Sequence, residues 1–159
     1  MFGLFKKKLS WEAEYAQKLY DGLVDHNDFG DITALELRIP RARHQAYQNK
    51  MLLLREMLCF AALMAAANPG TRLPPVMGAF GDLLVRKVAE RGLQLNRHQL
   101  ADASIDDAKA IDIDPFLWAQ NWLSEFRDDP NDNYMVAVFA DHCLRLLSAY
   151  KKGIEATQP

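Results

Sequence analysis

Four histidines, His26, His44, His98 and His142, are the side chains in this sequence best suited to proton transfer or metal ligation. They fall on or near four different helical stretches, and a helical bundle can gather such residues around a metal. Asp141, beside His142, would complete a helical-bundle enzyme or small-ligand binder built on His142 with His44 or His98. The spacing gives this idea no local support. There is no Glu-x-x-His, His-Glu-x-x-His or His-x-x-x-His, the patterns that put two ligands on one helix face. Adjacent residues such as Asp141 and His142 point about 100° apart on a helix. The preferred reading makes His142 a hydrogen-bonded core histidine and leaves the others solvated, with no metal and no cofactor expected.

Three further patterns match known motifs in part. Asp129, Asn131 and Asn133 match the first, third and fifth positions of a calcium loop, but Tyr134 stands where glycine must turn the chain and Ala140 where a bidentate glutamate closes the site. Gly92 between two helical stretches, with Arg91, Arg97 and His98 nearby, invites a helix-turn-helix. The strongly acidic segment that follows repels phosphate, so no nucleic acid is expected as a partner. Gly78 and Gly81 have the spacing of an RNA-binding loop without its flanking strands or basic middle residues, and read better as small residues that admit a close neighbour. A pocket between helices lined by Trp118, Trp122, Phe126 and Phe139 looks the same in sequence as an ordinary core.

The elements that must position these residues are helical. The 159 residues include 43 Ala and Leu against 15 Val, Ile and Thr, a balance that favours helices over strands. Half the chain is hydrophobic, a quarter is charged and the net charge is -2, which excludes a disordered chain. The expectation is an all-α, single-domain bundle of five to seven helices spanning residues 10–154, between an N-terminal amphipathic peg (1–9) and a tail (155–159).

Ser10 caps a first helix with Trp11, Tyr15, Leu19 and Leu23 on one stripe, ending near His26 before a turn at 27–31. Asp31 is read as the cap of a short piece that Pro40 ends. A long helix over 41–67 follows. Its part 51–67 is apolar in all but Arg55 and Glu56, too short and interrupted to span a membrane, and is the expected buried centre. The stretch 68–75, with Pro69, Gly70 and the paired Pro74 and Pro75, terminates it; Pro75 sits at the first turn of the next helix, which Gly92 closes. Residues 96–114 read as short, exposed, poorly patterned helical pieces. Asp114 and Pro115 start a helix through Phe126, and a double-seamed helix over 132–154 ends the domain.

The near-zero net charge hides segregation. Residues 38–50 carry Arg38, Arg41, Arg43 and Lys50 with no acid, whereas 101–141 carry ten acids against Lys109 and Arg127. The two stretches can face each other within the fold or dock partners. On that basis the leading function is a non-enzymatic helical protein-interaction module: an accessory subunit, adaptor or inhibitor. Arg38, Arg41 and Arg43 would face an acidic partner, or Asp106, Asp107, Asp112 and Asp114 a basic one. A homodimer is also expected to be able to cover surplus apolar faces. Cys59 and Cys143, each inside an apolar run, read as buried free thiols in a reducing, cytoplasmic setting. Phe2 and Phe5 beside Lys6, Lys7 and Lys8 could make weak membrane-surface contact.

Overall fold

The computed structural model describes residues 8–26, 32–129 and 132–158. Six α-helices and no strand occur among them: α1 (Trp11–Leu19), α2 (His44–Ala66), α3 (Leu73–Glu90), α4 (Arg97–Ile113), α5 (Pro115–Leu123) and α6 (Asn133–Ala156). This is the expected all-α bundle. Phe2, Phe5, Lys6 and Lys7 of the peg and the 27–31 turn lie outside the described residues. So do positions 130–131, which include Asn131 of the calcium-like pattern.

α2 is the centre. It packs against α3, α4 and α6, and from Glu56 to Leu63 every side chain is buried, so the apolar run at 51–67 is a helix covered on nearly all sides. α1 packs on α3, and α5 joins α4 to α6. Both seams of α6 are used: Phe139 and Leu146 on one, Val136, Cys143, Leu147 and Tyr150 on the other, all buried.

Local chemistry sets the helix ends. The Ser10 hydroxyl accepts from the Ala13 N–H and starts α1, which continues through one wider π-helical turn, Tyr20–Asp25, to His26. Pro40 precedes a 3₁₀ turn, Arg41–Arg43, that leads into α2. Gly92, at φ 84°, caps α3 in the left-handed conformation that glycine adopts without strain. Asp114 accepts from the Leu117 N–H, and Pro115 occupies the first turn of α5.

Three expectations need correction. Residues 97–113 form one continuous helix, not short pieces. Asn96 and Gln99 make a reciprocal capping box, and the buried positions Leu100, Ser104 and Ile111 are joined by half-buried alanines that dilute the apolar pattern. The short piece before Pro40 is a single turn in which Thr33 and Glu36 exchange hydrogen bonds of 2.7 and 3.1 Å, while Asp31, its expected cap, lies outside the described residues. It ends at Arg38, whose φ of 56° breaks the helical path. Finally, α5 stops at Leu123; Phe126 reaches the core from the turn that follows.

Gly78 and Gly81 do admit a neighbour. A Cβ at Gly81 would lie 2.8 Å from Arg97 Cδ and 3.1 Å from Phe60 Cζ, so the bare backbone lets the arginine stem cross α3 above the Phe60 ring of α2.

Candidate functional site

Four apolar or long side chains on one face of α2, Lys50, Leu53, Leu54 and Met57, follow the i, i+3, i+4, i+7 rule of a single helical stripe. Opposite them α5 presents Trp118, Asn121 and Trp122 by the same rule. Glu125 follows from the turn after α5, and α4 contributes Asp107. Together they line an open cleft of about 370 Å³.

The floor of the cleft is aromatic. Trp118 and Trp122 are nine-tenths buried, and their rings lie 6.0 and 4.8 Å from that of Phe139. Tyr47 meets Trp122 and Phe126 edge-on at 5.9 and 5.8 Å, so the indoles are held from behind. Phe126 and Phe139 therefore belong to the core, and only the two tryptophans of the sequence-expected aromatic set open onto the cleft.

The polar groups converge above this floor. Lys50 Nζ sits 2.6 Å from Glu125 Oε1, 5.0 Å from the Trp122 ring centre and 5.4 Å from that of Phe126. The Trp118 Nε1–H donates to Asp107 Oδ1 at 2.9 Å and fixes that carboxylate in place. Burial pushes the Asp107 carboxyl above the ordinary carboxylate range, and neighbouring Asp106 adds to this; the Trp118 hydrogen bond and the Lys50 charge oppose it. Glu125 thus holds the ammonium over one indole and one phenyl ring, and Asp107 places a second carboxylate on the same cleft.

A second polar cluster is spent internally. Glu56, fully buried on α2, takes both terminal nitrogens of Arg91, one of them at 2.9 Å, and the Tyr20 hydroxyl at 2.7 Å. It ties the π-helical turn after α1 and the end of α3 to the central helix.

The remaining sequence-predicted residues are dispersed. His44 Nε2 lies 2.8 Å from the Ile39 carbonyl, His98 is exposed in the first turn of α4, and His142 is half-buried on α6. Asp141 pairs with Arg145 at 2.8 Å along α6. Among the described residues no three of His, Cys, Asp and Glu form a group that could hold a metal ion. Arg43 is paired with Asp128 at 3.0 Å, Arg41 is exposed, and Arg38 lines a depression with Asp128, Asp129 and Asp132. The basic stretch therefore faces acids of its own chain. Asp106, Asp112 and Asp114 are exposed, with Asp112 4.0 Å from Lys151, while Asp107 alone enters the cleft.

Sequence reasoning missed the apolar corner between α4 and α5. Ile113 is 84% exposed, Leu117 52% and Phe116 37%, all within five positions and flanked by Asp112 and Asp114. The signal was present in the run Ile-Asp-Ile-Asp-Pro-Phe-Leu-Trp, whose alternation shows that one apolar set faces outward.

Comparison with family models, with characterised proteins and with solved structures finds no match to this chain, so its function is read from its geometry.

Proposed function

We propose that this chain is a non-enzymatic helical interaction module that docks a basic, amphipathic segment of a partner protein on its α4–α5 side. One observation carries the reading: Ile113, Phe116 and Leu117 stand exposed together at the corner that adjoins the tryptophan-floored cleft. Exposed apolar residues are ordinary when scattered; gathered beside an open aromatic cleft they mark an interaction surface. The surrounding charge selects the partner's sign. Asp106, Asp112 and Asp114 project around the corner, opposed by Lys109 and Lys151, so the rim favours a basic segment. Cys59 and Cys143, buried and not joined in a disulfide, support a reducing compartment as its setting.

Affinity capture by the wild-type chain from its native host, repeated with Ile113→Asp and Leu117→Asp, tests the reading. A partner reconstituted from purified components should bind the wild type, lose at least tenfold in affinity with either variant, and associate more slowly after charge reversal at Asp106 and Asp112. Both variants should melt as the wild type does, because the altered side chains are exposed. Equal binding by all variants overturns the proposal. So does a solution mass of a dimer that Leu117→Asp converts to monomer, which would assign the corner to a second copy of this chain.

A further inference from the structure

The cleft behind the docking corner contains more than a packing floor needs, and its chemistry identifies what it receives. We infer that the cleft between α2, α4 and α5 is a pocket for a guanidinium, the side chain of an arginine presented by the partner, with Lys50 as the resident cation it displaces. The inference rests on the docking reading above for the source of the arginine.

Lys50 already demonstrates the recognition. Its ammonium lies over the rings of Trp122 and Phe126 and against Glu125, so the cleft stabilises a positive charge by cation–π and carboxylate contacts at once. One ammonium leaves the site short of charge. Asp107 lines the same cleft, and its described hydrogen bond is to the Trp118 indole; that N–H orients the carboxylate without neutralising it. The Lys50 side chain is 29% exposed and long enough to swing to water, where an ammonium is strongly hydrated.

A guanidinium suits the vacated place better than a second ammonium. Its plane stacks on an indole, its fork donates to a carboxylate in two parallel bonds, and it loses less hydration on entering a half-buried cleft. The volume of about 370 Å³ accommodates such a side chain, and Asn121 adds a further polar group at the wall.

The sign of one variant separates this from the opposite reading, in which Lys50 serves to bind an anion. The probes are the blocked amino acids N-acetyl-arginine methylamide and N-acetyl-glutamate methylamide. Each is titrated into the full-length protein while the amide and indole resonances of α2, α4 and α5 are followed by NMR. The arginine probe should bind the wild type with a dissociation constant on the order of 1 mM, as befits one isolated side chain. Lys50→Met, which keeps the stem and removes the competing charge, should tighten it about fivefold to tenfold. Asp107→Asn, which retains an acceptor for Trp118, should weaken it by about tenfold or more. Absence of arginine-probe binding in both the wild type and Lys50→Met overturns the inference. So does unchanged affinity in Asp107→Asn, or an acidic probe whose binding Lys50→Met abolishes. If the probe fails while Leu117→Asp still loses the partner, the pocket assignment falls and the docking corner stands.

Discussion

Replacing Arg91 by Met should destabilise the fold by about 3 kcal/mol, because it strands a carboxylate in the fully buried stretch of the central helix. Glu56 has no exposed surface and is held by three donors: the two Arg91 nitrogens and the Tyr20 hydroxyl. The methionine keeps the arginine's stem packing and removes two of the three. Breaking a buried ion pair from one side costs about 3–5 kcal/mol, and the lower end applies here since the Arg91 side chain is 24% exposed and water reaches the cut. Tyr20→Phe removes only the third donor and should cost about 1.5 kcal/mol, the low range for a hydrogen bond to a charged group. The double variant Glu56→Leu/Arg91→Met removes both charges together, leaves only the buried Tyr20 hydroxyl without its acceptor, and should lie about 1–2 kcal/mol below the wild type. Urea unfolding followed by circular dichroism reads these differences. With a slope of about 2 kcal/mol per molar urea, the Arg91→Met midpoint falls by about 1.5 M and that of Tyr20→Phe by about 0.8 M. A fall under about 0.5 M for Arg91→Met, or a double variant less stable than Arg91→Met alone, refutes the claim that pairing of a buried charge is what Arg91 supplies.

The glycines give a contrast of opposite signs. Gly81→Ala should destabilise by about 1–2 kcal/mol in thermal melts despite alanine's better helix propensity, since its Cβ meets the Phe60 ring at 3.1 Å and the Arg97 stem closer still. Gly78→Ala, whose nearest neighbour is Arg97 Nη1 at 3.7 Å, should stabilise by about 0.5–1 kcal/mol. Equal effects at the two sites would remove the steric explanation. Asp107→Asn should be more stable than the wild type at neutral pH. Burial raises this carboxyl, so the folded state holds its proton more tightly than the unfolded chain does. Stability is then lost as pH rises from the ordinary carboxylate range through the raised value. The advantage of the asparagine should vanish in acid below the ordinary range, and a difference independent of pH would show that desolvation of the charge is not its source.

Much of the fold was legible because apolar residues and caps state it directly. The run at 51–67 declared its own burial, and its two charged interruptions marked something: Glu56 is the hub of the buried network. Ser10, Gly92 and Asp114 each announced a helix end through the backbone groups that a terminus leaves unpaired. α4 was misread because alanine and Ser104, whose hydroxyl bonds back to the Leu100 carbonyl at 2.6 Å, bury a helix face without strong hydrophobicity. The cleft was illegible for a different reason. Lys50, Asp107 and Trp122 come from three helices, and no spacing in one dimension records which side chains meet across a bundle.

Charge segregation gains meaning only once the pairs are drawn. Arg43 is opposed by Asp128 and Lys50 by Glu125, and Arg38 lines a depression with Asp128, Asp129 and Asp132, so three of the four cations of the basic stretch face acids from the turns that follow α5. Among the described residues the acids of α4 meet fewer cations, with Asp112 4.0 Å from Lys151, and the excess lies beside exposed Ile113, Phe116 and Leu117. Asp107 makes the point sharpest. An asparagine there would accept the same indole hydrogen bond and fill the same space without the burial cost that the carboxylate carries. A charge that folding opposes, held in position by a tryptophan and facing an open cleft, is better explained by what enters the cleft than by what surrounds it.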